Sequence, residues 1–96
     1  MKITICVLLW VKAGEEELFS EYERRALEIA SAHGAVILSR VRRNELTDSV
    51  YEVQVLQFPS QEDFQMFMED PARLELGPMR DTSIAKTEVV RVDEIS

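Results

Sequence analysis

The chain has 96 residues and a net charge of −7, which opposes binding to a phosphate backbone, so we expect no nucleic-acid partner. This length predicts a single domain over residues 1–96, and a hydrophobic content of 46% is enough to form a buried core. The longest apolar run, residues 3–11, is too short to cross a bilayer, and the lone cysteine excludes an internal disulfide, so we expect a cytoplasmic protein with no membrane partner.

The first predicted element is a strand over residues 2–11, where β-branched and aliphatic side chains predominate. Its odd-numbered residues share one face, and its even-numbered residues, which include Cys6 and Trp10, share the other. Both faces are apolar, a pattern typical of a strand that is covered on two sides. Because so short a chain has little material for two covering layers, we expect a second copy to supply one of them, which predicts a homodimer.

Residues 15–33 are predicted to form an amphipathic helix, since apolar residues recur at helical spacing and charged residues occupy much of the remainder. The three glutamates that open it suit the positive end of a helix and are interpreted as a solvated first turn. Gly34 stands where a left-handed cap would end the helix. His33, the only imidazole, either complements the negative helix end or is a candidate catalytic acid-base residue.

Residues 35–43 and 50–58 are predicted to be antiparallel strands joined by a polar connection of hairpin length. We expect even-numbered positions to pair with each other, and the odd-numbered face of this hairpin to carry the helices. Polar side chains would then face the partner sheet, as ion pairs between the two chains or as the lining of a ligand cavity. These side chains are Arg40, Arg42, Glu52, Gln54, Lys86 and Glu88.

A second helix is predicted after the third strand, where Ser60 can cap it and Asp63 completes a pattern that resembles a capping box. Asp70 and Pro71 repeat the start signal, so the helix is expected to be kinked or split. A further turn over residues 72–76 should end at the Gly-Pro pair that follows. The prolines and capping residues of this region therefore all have structural explanations.

Residues 84–92 alternate in polarity and predict a fourth strand. The order βαββαβ predicts an α+β fold of the ferredoxin-like type, a four-stranded antiparallel sheet with the helices on one face. The other face would be bare in a monomer, and such a surface is larger than a small domain normally exposes. Pairing of two sheets face to face would cover it.

A recognisable pattern runs from the end of the third strand to the region before the fourth. It consists of Phe58-Pro59-Ser60, Glu62 and Asp63, Phe67, Asp70-Pro71, Leu76, and Pro78-Met79-Arg80. This pattern resembles the bacterial domain-of-unknown-function family numbered 1330. The resemblance implies a dimeric α+β barrel, in which two ferredoxin-like sheets close around a shared interior.

The superfamily implied by this resemblance includes monooxygenases, haem-degrading proteins, polyketide cyclases and isomerase-like proteins, so no single reaction follows from it. Two functions remain open. The first is a homodimer that binds a small apolar or aromatic molecule between sheet and helices. The second is a cofactor-independent enzyme, of the monooxygenase, cyclase or isomerase type, acting on a small aromatic or polyketide-like substrate. The sequence contains no phosphate loop, Cys-x-x-Cys pair or nucleophile elbow, so we expect no cofactor and no metal.

Five residues besides His33 are candidates for ligand binding. Arg80 matches a family motif position and could hold a substrate carboxylate through two hydrogen bonds, or bind a carbonyl. Trp10 could wall a pocket or fill the dimer core. The remaining candidates are Tyr22 and Tyr51, as possible hydrogen-bond donors, and Arg40, as part of a polar cavity lining.

Overall fold

The computed structural model describes residues 1–95, so residue 96 of the predicted domain lies outside the described residues. Four strands were predicted, and their observed bounds agree closely with the sequence. The strands are β1 Ile3–Val11, β2 Val36–Arg42, β3 Glu52–Phe58 and β4 Ile84–Arg91. They form one antiparallel sheet in the order β2-β3-β1-β4.

Four helices occur within residues 1–95, and they cover one face of the sheet. They are α1 Glu16–Ala32, α2 Gln61–Glu69, α3 Pro71–Leu74 and α4 Gly77–Ser83. The predicted ferredoxin-like α+β fold is confirmed, with the second helical region divided into three short helices. The predicted stop at Gly77-Pro78 is wrong, because this pair begins α4, where the missing N–H of a proline costs no helical hydrogen bond. None of the helices in this part of the chain has the length and apolar content needed to span a membrane.

The ends of the helices follow the local signals in the sequence. The Ser60 side chain accepts a hydrogen bond of 3.1 Å from the Asp63 N–H, and Asp70 accepts one of 2.8 Å from the Ala72 N–H. At the end of α1, Gly34 has a φ of 86°, as predicted for a left-handed cap. A Cβ atom there would lie 2.7 Å from the Pro59 ring, so this position excludes larger residues by contact as well as by conformation.

The helices lie on the odd-numbered face of β1 and the even-numbered face of β3. This follows from the register, in which Ile5 lies opposite Leu56 and Leu9 lies opposite Glu52. The expected pairing of even-numbered positions between β2 and β3 is found for Arg40 and Arg42, with Arg42 opposite Glu52, but not before the register shift, where Val36 lies opposite Gln57. The prediction that the odd-numbered face of the hairpin carries the helices is wrong. Burial of Phe58 and Leu56 against the helices brings the polar residues of the same face with them.

The opposite face of the sheet carries no helix within residues 1–95, and we call it the open face. It is mainly apolar, and three of its valines are about half exposed, at 55%, 56% and 48%. The residues of the open face are Thr4, Cys6, Leu8, Trp10, Val36, Ser39, Val41, Val53, Val55, Gln57, Lys86, Glu88 and Val90. At the edge of the sheet, the register of β2 shifts between Ile37 and Ser39. The bare sheet face expected from the sequence is therefore present, with fewer charges than predicted.

Candidate functional site

A cavity of about 140 Å³ lies between the sheet and the helices. It exists because α1 presents Ala26 and Ala30, one turn apart, toward Ile5 and Leu56 of the sheet. Phe64 and other apolar side chains of α2 form a further part of the wall. An apolar cavity of roughly 150 Å³ can hold one benzene ring. The volume therefore suits a molecule with a single ring.

Six lining residues carry polar groups, and they come from five different elements of the fold. They are Tyr22 and Glu23 of α1, Gln54 of β3, Arg73 of α3, Arg80 of α4 and Thr87 of β4. Thr87 Oγ1 is buried and has no hydrogen-bond partner among residues 1–95. Buried hydroxyl groups are normally paired, so this atom is available to a bound molecule.

A buried network joins the cavity to the charged residues of the hairpin. The Gln54 amide nitrogen donates to the Glu23 carboxyl group and, over 2.6 Å, to Glu52. Glu52 is fully buried and accepts hydrogen bonds from Arg40 at 2.8 Å and Arg42 at 2.5 Å. The prediction that these four hairpin residues face a partner sheet is wrong. They satisfy one another within the chain, which allows charged groups to lie under the helices.

The surroundings of the two buried carboxyl groups shift the pKa of Glu23 upward and the pKa of Glu52 downward. Burial raises the pKa of Glu23 to about 7, with a further rise from the charge of Glu52, although the hydrogen bond from Gln54 opposes the change. Burial would also raise the pKa of Glu52, but hydrogen bonds from Arg40, Gln54 and Arg42 bring it below its usual value. The lowered pKa of Glu52 favours its ionised form at neutral pH, whereas Glu23, with a pKa of about 7, gains and loses a proton there.

Two of the residues predicted as site residues line the cavity, namely Tyr22 and Arg80. Burial raises the pKa of Tyr22 and the charge of Glu23 adds to the rise, while the positive charges of Arg80 and Arg73 oppose it. Tyr22 therefore stays a neutral phenol that can donate a hydrogen bond. Arg73 of α3 and Arg80 of α4 line the same cavity.

His33 lies outside the cavity lining, at the end of α1. Its Nε2 atom is 2.7 Å from Asp70 Oδ2, and its ring packs against Phe67. The His33 hydrogen bond, together with one from the Ala72 N–H, lowers the pKa of Asp70. In the structure this contact links the end of α1 to the start of α3, and the catalytic role of His33 stays a prediction.

Three other predicted residues lie away from the cavity lining. Trp10 is on the open face, where the Lys86 ammonium group lies 4.7 Å from the ring centroid. Tyr51 packs edge-on against Phe19, with 5.5 Å between ring centroids. Arg40 reaches the cavity only indirectly, through the buried network. Among residues 1–95, no group of three or more His, Cys, Asp or Glu side chains is arranged to hold a metal ion.

The sequence prediction missed Glu23, although a signal for it exists. Glu23 lies four residues after Phe19, three before Ala26 and seven before Ala30, which places an acidic residue within the apolar stripe of α1. Gln54 was among the polar residues named as a possible cavity lining, but its position under the helices follows only from the register of β1 with β3. No sequence pattern marks Thr87 as a site residue, because its position beside the cavity depends on the pairing of β4 with β1.

The chain was compared with protein families, curated proteins and solved structures. A family model described as a domain of unknown function, DUF1330, matches residues 7–95. No curated protein matches the sequence. Among solved structures, a protein of unknown function from Rhodopseudomonas palustris is similar with a TM-score of 0.81 and 15% identity, over 99% of this chain and 83% of that one.

Two further structures share the fold. One is described as a dimeric protein of unknown function with a ferredoxin-like fold from Bacteroides fragilis, with a TM-score of 0.72 and 9% identity, over 97% of this chain and 96% of that one. The other is a mutant of SnoaB, a cofactor-independent oxygenase from Streptomyces nogalater, with a TM-score of 0.68 and 18% identity, over 99% of this chain and 94% of that one. At these identities the likeness shows the fold alone.

Replacement of Glu23 by Gln should stabilise the protein more at pH 8 than at pH 5. A folded-state pKa of about 7, above the usual 4.5, means that the folded protein binds more protons than the unfolded chain between these values. Stability is therefore lost as the pH rises from about 4.5 through 7, by about 3 kcal/mol in total. The Glu23→Gln variant lacks this pH-dependent loss of stability. Urea unfolding of both proteins at pH 5 and pH 8 would measure the difference.

Glu28→Gln is the matched control, because Glu28 is an exposed residue of the same helix and, within residues 1–95, forms a salt bridge only with Arg24. Its effect should stay below about 0.5 kcal/mol at both pH values. An equal effect of Glu23→Gln at pH 5 and pH 8 would contradict the assignment of a raised pKa to Glu23.

Proposed function

The chain belongs to the DUF1330 family of domains of unknown function, and we propose that it is a cytoplasmic, single-domain homodimer that binds a small, largely apolar molecule between its sheet and its helices. The cavity carries this proposal. Its wall is mainly apolar, and a few polar groups from separate elements converge on it, which is the usual composition of a small-molecule site. Its volume of about 140 Å³ favours a ligand with one ring.

The polar groups of the cavity support a ligand that carries hydrogen-bonding groups. Glu23 is 4% exposed, and one oxygen of its carboxyl group accepts a hydrogen bond from Gln54. Tyr22 offers a phenol hydroxyl, and Thr87 offers a buried hydroxyl without a partner among residues 1–95. A ligand with a polar substituent would restore hydrogen bonds that the cavity leaves unmade.

The open face supports the homodimer. It presents apolar side chains such as Leu8, Val53 and Val55 in the middle of the sheet, where water would otherwise cover them. Burial of such a surface against a second copy is favourable by about 25 cal/mol per Å² of apolar area. The similar protein from Bacteroides fragilis is described as dimeric.

A cofactor-independent enzyme is the second candidate, and Glu23 is the observation that favours it. A buried carboxyl group with a pKa of about 7 is suited to take up and return a proton at neutral pH. It faces a cavity in which a ring with an acidic C–H bond could lie. The similar SnoaB protein is described as a cofactor-independent oxygenase, although the likeness extends to the fold alone.

Filling the cavity should remove ligand binding. We expect benzamide, benzyl alcohol or benzoate to bind the wild-type protein, as measured by calorimetry or ligand-observed NMR. Ala30→Val places additional methyl groups into the cavity wall and should weaken binding at least tenfold, since the ring and the new side chain would occupy the same space. Ala26→Val provides a second variant at a neighbouring position of the lining.

Ala32→Val is the control, because Ala32 lies on the same helix and is exposed. It should leave the affinity unchanged. Absence of binding of all three molecules to the wild-type protein, or unchanged affinity in both Ala30→Val and Ala26→Val, would contradict ligand binding in this cavity.

The homodimer is tested by light scattering at micromolar concentration, where we expect the mass of two chains. Val53→Lys should produce a monomer, because Val53 lies in the middle of the open face between Leu8 and Val41, and the lysine charge would have to be buried in the dimer. Leu46→Lys, at a fully exposed loop residue, should remain dimeric. A wild-type protein that is monomeric under these conditions would contradict the dimer.

The enzyme candidate is tested with cyclohexanone, a one-ring ketone whose hydrogen atoms next to the carbonyl exchange slowly with water. We expect the protein in D₂O to accelerate deuterium incorporation, because Glu23 would remove the carbon-bound proton and solvent deuterium would replace it. The Glu23→Gln variant should lose the acceleration. An equal rate with and without the wild-type protein would count against an acid-base role for Glu23.

A further inference from the structure

The two arginines of the cavity differ in how their charges are satisfied. Arg73 donates a hydrogen bond of 2.9 Å to the Met68 carbonyl oxygen and stacks over the Phe67 ring. Arg80 lines the cavity from α4 and forms no ion pair with a carboxylate of residues 1–95. It is partly buried, so its guanidinium group has lost part of its hydration without gaining a carboxylate partner.

Both arginines share one part of the cavity with Tyr22. All three residues line the cavity, and α1, which carries Tyr22, packs against α3 and α4. Two consecutive short helices, α3 and α4, carry these arginines. The arrangement brings two positive charges and one neutral phenol donor together on one side of the cavity.

The charge of the cavity is opposite to that of the protein. The whole chain has a net charge of −7, whereas the cavity lining has two arginines and a single acidic residue, Glu23. The buried carboxylate of Glu52, on the far side of Gln54 from the cavity, pairs with two arginines. Its negative charge is therefore more than balanced by their two positive charges. A positive cavity in an acidic protein attracts a negatively charged ligand and concentrates it there.

The remainder of the lining restricts what this anion can be. The apolar wall leaves room for about one ring. The sequence has no glycine-rich phosphate loop to bind a phosphate group. A planar carboxylate matches the planar guanidinium group through two parallel hydrogen bonds. A single ring that carries one carboxylate therefore satisfies both the volume and the charge.

We infer that the ligand of this cavity is a small carboxylic acid with an apolar body of about one ring, and that Arg80, assisted by Arg73 and Tyr22, binds its carboxylate. This inference rests on the proposed function, since it names the chemical class of the molecule in that site. The ring lies against the apolar wall beneath α1.

Benzoate and benzamide test this inference, because they have nearly the same shape and differ in charge. Calorimetry with the full chain should show that wild-type protein binds benzoate at least tenfold more tightly than benzamide. Arg80→Gln should reduce the affinity for benzoate at least tenfold and leave the affinity for benzamide within about twofold. Arg80→Lys should restore part of the benzoate affinity, since the charge returns without the paired hydrogen bonds.

Two further variants complete the experiment. Arg73→Gln should weaken benzoate binding less than Arg80→Gln does, because Arg73 already donates to a carbonyl oxygen. Arg24→Gln, at an exposed arginine of α1, should change neither affinity. Thermal unfolding of each variant confirms that it is folded before binding is measured.

The outcomes separate this inference from the proposed function. Equal affinity of wild-type protein for benzoate and benzamide, or an unchanged preference in Arg80→Gln, would overturn the carboxylate assignment while ligand binding in the cavity stands. Absence of binding of benzoate, benzamide and benzyl alcohol to wild-type protein would overturn the assignment and the proposed function together, whereas binding of benzyl alcohol alone would overturn only the assignment.

Discussion

The buried carboxylate of Glu52 is the constraint on which much of the structure depends. A charged carboxylate that is removed from water is strongly destabilising unless ion pairs and hydrogen bonds compensate it. Glu52 is fully buried, and the compensation comes from Arg40 and Arg42 on the neighbouring strand and from Gln54 on its own. These contacts require one pairing register between β2 and β3. They also direct the second hydrogen bond of the Gln54 amide toward Glu23, which gives the cavity its titratable group.

The same register determines the character of both faces of the sheet. Because the even-numbered residues of β3 lie under the helices, the valines at its odd-numbered positions are left on the open face. The polar groups thus line an internal cavity, and the apolar groups form the surface available to a second copy. A slip of the hairpin by one residue would exchange the two sets of side chains, with loss of the cavity network and of the apolar open face at once.

Local features of the sequence were sufficient to predict most elements and their ends, whereas α4 was missed because its Gly77-Pro78 start was interpreted as a stop. The helix periodicity of α1, the left-handed Gly34 and the capping Ser60 each depend on residues close in the chain. The choice of face for the hairpin was predicted wrongly, because it depends on the pairing of β1 with β3, which are distant in sequence. For the site, Tyr22 and Arg80 were predicted, whereas Glu23 was missed because its environment arises only when α1 packs over Gln54.

The shift of register in β2 has a consequence for how copies of this protein can associate. An edge strand with a regular row of free N–H and C=O groups is a template for the addition of further strands, which can continue without limit as a fibril. The irregularity between Ile37 and Ser39 interrupts that row in a strand whose residues are all exposed. It therefore disfavours growth along the edge of the sheet. Association through the flat face is self-limiting, because it ends when two copies have covered each other.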